Sequence, residues 1–351
     1  MREFAARWRW ELLLAAILVV VVCVNVSISP FYLGEQNFVN MFQLSIEKLI
    51  VVVVMTFVII NGEIDLSVAS VMGFSACVLA ALHEGGSVPF ALAVVIALLA
   101  GLGAGLLQGA FVAFMGLPSL VVTLAGLIFF RGAARVVVED RSIGGFPDWF
   151  DRLGQEALIG RITFALILFV VGMVVAGVVL HRTSIGRSIY VIGNNANVAR
   201  YSGLNVARTK LVLFATSGLV AGLAGVLFAS RLGSVRGDLA LGFELDIITI
   251  VLLGGVSIFG GSGTMVGVAL AVLIVVNLRN GLGLANIDQN AQTGVIGALL
   301  ILSVLVPTTL ERATAWHRAR RLAAGVPPSS NGQAQGGDAP RQERELDPAR
   351  N

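Results

Sequence analysis

The chain has 351 residues, 56% of them hydrophobic and only 13% charged, with a formal net charge of +3 and a mean hydropathy of +0.88. This balance excludes a soluble globular domain and describes an integral membrane protein. The small positive excess excludes a nucleic-acid binder, which needs a basic face this chain lacks, and the two cysteines, Cys23 and Cys77, fall inside apolar runs as packing residues rather than as a disulfide or metal framework.

Crossing about 30 Å of hydrocarbon takes about 20 mostly apolar residues as helix, because lipid offers no partner to a free N–H or C=O. About ten such runs are legible, near 11–30, 44–60, 66–83, 90–115, 119–138, 161–180, 211–230, 246–260, 265–280 and 292–307. The fold class is therefore all-α and polytopic. Tight Gly or Pro turns at 61–67 (NGEID), 116–119 (GLP) and 260–264 (GGSGT) predict that some runs are broken or re-entrant and shielded by neighbouring protein. The first run has a basic lead, as in a signal peptide, but no small-residue cleavage site followed by a soluble domain, so an uncleaved span is expected.

The segment Asn61-Gly62-Glu63-Ile64-Asp65-Leu66-Ser67 places two carboxylates and a hydroxyl where the chain breaks inside the membrane. Intramembrane acids are costly and usually functional. Asp65 or Glu63 either contacts a polar solute or ties down a broken helix. Equally, Asp65 or Ser67 offers its oxygen to the free N–H groups that open the next helix, and the two roles are compatible.

Glycine recurs at helical spacing, at Gly101, Gly105 and Gly109, at Gly218 and Gly222, and at Gly263 and Gly267. Such stripes let helices approach closely in lipid, and packing is their expected role. Arg131 and Arg135, one turn apart, are expected to snorkel to the outer interface, with a place at the outer mouth as the lesser reading.

Arg2, Arg7 and Arg9 precede the first run, Arg182, Arg187, Arg200, Arg208 and Lys210 fill the segment 182–210, and Arg312, Arg318, Arg320 and Arg321 follow the last run. Positive residues near span ends stay in the cytoplasm, and an even number of spans puts all three groups there. The segment 139–160, with its acids and aromatics, then falls outside. The polar, glycine-punctuated segment 182–210 is expected to be a docking surface. The expected organisation is a cytoplasmic N-terminus over 1–10, a transmembrane domain over 11–307, and a basic then disordered cytoplasmic tail over 308–351.

No catalytic apparatus is legible. Gly260-Gly261-Ser262-Gly263 has the G-x-S-G spacing found around the serine of rhomboid intramembrane proteases, but His83, His181 and His317 lie at predicted loop edges or in the tail, where none can act as its base. Neither a zinc H-E-x-x-H nor a nucleotide-binding G-x-x-x-x-G-K-[ST] occurs.

Residues 61–72, NGEIDLSVASVM, resemble the GGIDLSVGS-type signature of the permease subunits of bacterial monosaccharide ABC importers, the ribose, xylose and galactose group. Further matches follow in order: GLPSLVVT at 116–123 leading into Phe130-Arg131-Gly132, TSIGRSIYVIGNNANVARYSGLN at 183–205, and GGVSIFGGSGTMVG at 254–267. Together they span most of residues 40–306. The resemblance implies an ABC importer permease fold, of the vitamin B12 importer type, in the bacterial inner membrane.

It also implies a coupling helix around Asn195–Gly203 that inserts into a separate ATPase subunit, with Gly193, Asn194, Asn195, Ala199, Arg200, Ser202 and Gly203 at or near the contact. Ala196, Val198, Ala199 and Tyr201 would offer a small apolar face, with Arg200 on its rim. The plain alternative is a solvated loop. Asn61, Asp65, Ser67 and Thr123 are the polar residues expected to line or shape the passage. The chain itself would hold no cofactor or metal, ATP being bound by the partner.

Further implied partners are membrane lipids, a second permease subunit, identical or related, and a periplasmic or lipid-anchored sugar-binding protein docking on 139–160 and 231–245. The mechanism is alternating access, driven by differential stability of two packings in the two ATPase states. Glu63, standing where the pattern commonly has the second glycine of Gly-Gly-Ile-Asp, gives a GEIDLSVAS form that resembles the rhamnose-type permeases more than the ribose type, so rhamnose or a similar monosaccharide is the expected cargo. An autoinducer-2 permease stays open beside it. A secondary transporter using Asp65 as its ion site near discontinuous helices is the reading from another class.

Overall fold

A computed structural model describes residues 9–86, 88–288, 291–299, 301 and 305. Most of the expected N-terminal cytoplasmic stretch and all of the expected tail over 308–351 lie outside the described residues.

Each apolar run in the described part folds as helix. In chain order these are α1 (Arg9–Ile28), α2 (Glu35–Gln43), α3 (Ile46–Ile60), α4 (Val68–Glu84), α5 (Phe90–Phe114) and α6 (Ser119–Val138). They continue with α7 (Asp148–Gln155), α8 (Phe164–Arg182), α9 (Ser184–Asn194), α10 (Ala196–Tyr201), α11 (Val206–Leu232), α12 (Phe243–Leu253) and α13 (Met265–Leu284). Residues 291–299 are also helical.

Among the described residues six helices are long and apolar enough to span a membrane: α1, α5, α6, α8, α11 and α13. The pair α2 and α3, bent by 56° at Leu44–Ser45, makes a seventh if taken as one broken span. The apolar runs are therefore more numerous than the full crossings. The run at 246–260 shows why, because its helix stops at Leu253, where Gly254 and Gly255 follow and Gly255 turns left-handed at φ 82°. Residues Asp246 to Leu253 are all buried, so protein rather than lipid surrounds this short helix and it has no need of a full membrane length.

Helix α11 lies at the centre and packs against α5, α4, α3 and α7. Its contact with α5 is made by the glycine stripes. A Cβ on Gly105 would stand 2.2 Å from the Phe214 carbonyl oxygen, and one on Gly218 would stand 2.3 Å from that of Gly101. The backbones thus touch directly, which is what small residues allow where lipid removes the usual hydrophobic drive. Elsewhere α1 rests on α13 through Asn25, whose Nδ2 donates to the Asn277 carbonyl at 2.8 Å.

The two segments expected outside are joined to each other. Strand β1 (Ile143–Gly144) pairs antiparallel with β4 (Ser234–Val235), Ile143 opposite Val235, while β2 (Ala157–Ile159) and β3 (Ile162–Thr163) form a hairpin. Arg131 departs from the snorkelling expectation. Its side chain is largely buried, and its Nη1 donates at 2.8 Å to the Leu239 carbonyl, pinning α6 to the 231–245 segment.

Candidate functional site: a buried break tied to an exposed helical segment

Helix α3 ends at Ile60 because Asn61 and Gly62 cannot continue it in place, Gly62 turning left-handed at φ 82°. The next four residues cross without helical bonds. Their polar groups are met by neighbours. Asp65 is buried and its Oδ1 accepts from the Ser67 hydroxyl at 2.6 Å and the Ser67 N–H at 3.0 Å, while its Oδ2 accepts from the Ser217 hydroxyl of α11 at 2.8 Å. The Ile64 N–H donates to Ser119 Oγ at 3.2 Å, and Thr123 Oγ1 stands 3.1 Å from the Ile64 carbonyl. The break is thus bonded to both α6 and α11.

Of the residues expected at the passage, the structure gathers Asp65, Ser67 and Thr123 around this break, all of them buried. Asn61 sits at its start, also buried, with neither side-chain amide atom hydrogen-bonded. The arrangement of Asp65 is that of a tie holding a broken helix. Ser67 is the residue preceding α4, but its own side chain caps no backbone N–H.

Glu63 forms an ion pair with Lys210, in the first turns of α11 and two turns before Ser217. Just before Lys210 lies the expected docking segment. Thr183 opens α9 by accepting from the Gly186 N–H at 3.3 Å. Asn195 opens α10 by accepting from the N–H groups of Asn197 and Val198 at 3.0 and 3.1 Å, as Asn at this position commonly does. Gly203, at φ 82°, closes it, with its N–H on the Arg200 carbonyl at 3.0 Å. A short helix therefore occupies the expected place.

Its faces are divided differently from the expectation. Ala199 is fully buried and packs with Ile192 and Val206, with Ala196 and Leu204 against them, so it holds the segment together and offers no contact surface. Val198, at 55% exposure, and Tyr201, at 93%, face outward with Arg200 and Ser202. Asn194 is exposed and Gly193 half-buried.

Gly193 has a role that sequence spacing did not disclose. A Cβ there would stand 1.9 Å from the Ile60 carbonyl oxygen and 2.7 Å from the Gly261 nitrogen. That same carbonyl accepts from the Gly261 N–H at 2.8 Å. A Cβ on Gly260 would meet Gly62 Cα at 2.7 Å, and one on Gly261 would meet Asn194 Cα at 2.9 Å. Four glycines from three separate segments thus bring backbone onto backbone at the last turn of α3. The clue was the GGSG turn, whose glycines serve close approach. Tyr190 reinforces the contact, its hydroxyl donating to the Gly263 carbonyl at 2.7 Å, and burial pushes that hydroxyl up to about 12. Phe259, in the same turn and 87% exposed, is an outward-facing aromatic that the sequence reading did not single out.

Six or seven apolar helices of membrane length packed around a buried, non-helical break, with an exposed helical segment against its edge, describe a multi-pass membrane protein. The sequence pattern of the family described as branched-chain amino acid transport system, permease component, matches residues 37–304, and the chain belongs to this family. It is 37% identical over 309 residues to the autoinducer 2 import system permease protein LsrD of Escherichia coli K12, covering 85% of this chain and 92% of that protein. The protein of the same name from Yersinia enterocolitica is 36% identical over 311 residues, covering 85% and 92%. That from Photorhabdus laumondii is 34% identical over 309 residues, covering 85% and 91%. The resemblance to sugar-type ABC permeases is borne out, and the chain is a transport subunit of the bacterial inner membrane.

Proposed function

We propose that this chain is the permease subunit of an ATP-driven importer of autoinducer 2, in preference to rhamnose. The observation that carries this is similarity at 34 to 37% identity over nine-tenths of each of the relatives reported above, every one named for autoinducer 2 import. The GEIDLSVAS form that pointed toward rhamnose is one short motif, whereas the similarity runs the length of the transmembrane part.

In this reading a partner ATPase binds ATP and receives α10 in a cleft. Val198, Arg200, Tyr201 and Ser202 make the contact, Asn195 and Gly203 shape the helix ends, and Gly193 and Asn194 pass its movement to α3. With the basic segment in the cytoplasm, the β1–β4 ribbon lies outside and supports the docking of a periplasmic or lipid-anchored binding protein. A second permease subunit completes the passage. Asp65, Ser67, Thr123 and Asn61 shape that passage by holding the break, with Asp65 as its tie.

The test is uptake by the complete assembly in proteoliposomes, with its ATPase, second permease and binding protein. ATP-dependent accumulation of autoinducer 2 that greatly exceeds that of rhamnose supports the proposal. The reverse preference returns rhamnose as the cargo. Uptake by this chain alone, driven by a proton or sodium gradient without ATP, makes it a secondary transporter.

A further inference from the structure

At the end of the bundle opposite the basic segment lies a partly open cavity of about 580 Å³. Its position follows from helix directions. The 21 residue steps of α11 from Lys210, beside Glu63, to Arg231, on the cavity wall, rise about 32 Å at 1.5 Å per residue, roughly the thickness of the hydrocarbon. Helix α3 runs the other way, from Lys48 on the wall to Ile60 at the glycine junction.

The wall holds charges whose burial is costly. Asp246 Oδ2 receives both Lys48 Nζ at 3.0 Å and Arg279 Nη2 at 2.6 Å, and Lys48 and Asp246 are almost entirely buried. Arg231 binds Glu47 through Nε at 2.5 Å and Nη2 at 3.3 Å. The rings of Phe228 and Phe243 stack at 5.6 Å between the two ion pairs, with Arg231 4.9 Å from the first and Lys48 5.0 Å from the second. Among the described residues of these two pairs three cations thus face two carboxylates, and Arg279 Nε is buried with no hydrogen-bond partner there.

A network serving only to join helices gains nothing from an unmatched cation and a free buried donor, since desolvation already offsets much of the attraction. Buried charges beside a cavity of this size are better matched to a polar solute. The surplus is in donors, so the solute must bring acceptor oxygens, and Asp246 accepts from hydroxyls in return.

We propose that this cavity is an outer receiving site for a small, oxygen-rich solute of the polyol or sugar class, held by Arg279, Lys48 and Asp246. This deepens the importer reading and rests on it. The solute's oxygens compete with Asp246 for the same two cations, so binding exchanges one set of bonds for another and holds weakly. A weak site suits a solute in transit.

Gly283 lines the cavity, and an added Cβ there meets no atom within 4 Å. In the complete assembly, with Cys23→Ser and Cys77→Ala, Gly283→Cys is expected to react with an impermeant, negatively charged methanethiosulfonate reagent added from outside. Autoinducer 2, ribose or rhamnose at millimolar concentration is expected to slow that reaction severalfold. Arg279→Gln is expected to abolish the protection while the cysteine still reacts, and Arg279→Lys to restore part of it. Labelling that no solute slows, or protection that persists undiminished in Arg279→Gln, overturns the proposal. A second variant, Gly283→Phe, fills the cavity without touching packed backbone and is expected to reduce ATP-dependent uptake severalfold with the melting temperature unchanged. Unchanged uptake also overturns the site, while leaving the importer reading intact. Absence of ATP-dependent uptake in the parent assembly overturns the importer reading itself.

Discussion

Replacing Asp65 separates a structural tie from a solute contact. In Asp65→Ala the Ser67 hydroxyl, the Ser67 N–H and the Ser217 hydroxyl all lose their acceptor in a place where no water replaces it. At about 1 kcal/mol for each buried donor left unpaired the loss is about 3 kcal/mol. With about 0.6 kcal/mol for the one interhelical bond, that to Ser217, it is about 2.6 kcal/mol. Either figure is a large part of a stability of about 5–15 kcal/mol. Asp65→Asn keeps one carbonyl oxygen for Ser67 and presents an amide to Ser217, whose hydroxyl can turn to accept it. Its loss is therefore expected to be less than half that of Asp65→Ala. The assay is thermal unfolding of the purified permease in detergent, followed by uptake in the complete assembly. Asp65→Ala should melt well below the parent and transport little, and Asp65→Asn should lie close to the parent in both. If both variants melt with the parent and both lose transport, the carboxylate acts on the solute and the tie is refuted.

Gly193→Ala should leave ATP hydrolysis by the assembly nearly intact while lowering solute moved per ATP, because its Cβ falls 1.9 Å from the Ile60 carbonyl oxygen; overpacking of this kind costs about 1–3 kcal/mol, and Gly132→Ala, with nothing within 4 Å, serves as the control. The Glu63–Lys210 pair predicts that Glu63→Lys and Lys210→Glu each impair transport and that the exchanged double variant regains part of it; a double-mutant cycle on melting temperature should give a coupling of about 0.5–1.5 kcal/mol, and additivity would remove the pair from the mechanism. Asn195→Ala removes the cap of α10 at a cost of about 1 kcal/mol, so faster amide exchange at Asn197 and Val198 and weaker ATPase binding are expected, with exchange elsewhere unchanged.

The helices were legible because apolar runs of membrane length have few alternatives in lipid, and the break because Gly62, Glu63 and Asp65 interrupt one such run. How the break is held was not legible. Asp65 meets Ser217 and Glu63 meets Lys210 across about 150 positions, and nothing in the local pattern of serines or lysines selects those partners. The inward face of α10 was misjudged for a related reason. A six-residue helix carries too few positions for periodicity to say which side is covered, and only the packing of Ile192 and Val206 shows that Ala199 is the covered one. The β1–β4 ribbon rests on strands of two residues each, too short to leave any alternation.

These hidden contacts bear on how movement would travel. The groups at the break are bonded to α6 and α11 at several points, so a small displacement stretches several hydrogen bonds together and is resisted. The junction at Gly193, Gly260 and Gly261 has no side chains between its backbones and only one hydrogen bond bridging Ile60 to Gly261, so it transmits position without absorbing it. Under the proposed coupling, a push on α10 would therefore reach the last turn of α3 before it could be dissipated in side-chain rotation. Since α3 carries Lys48 at its other end, the same rigid helix joins the glycine junction to the charged cavity. Two packings of one bundle need differ only in how α3 sits against α11 and α12 for both ends to change together.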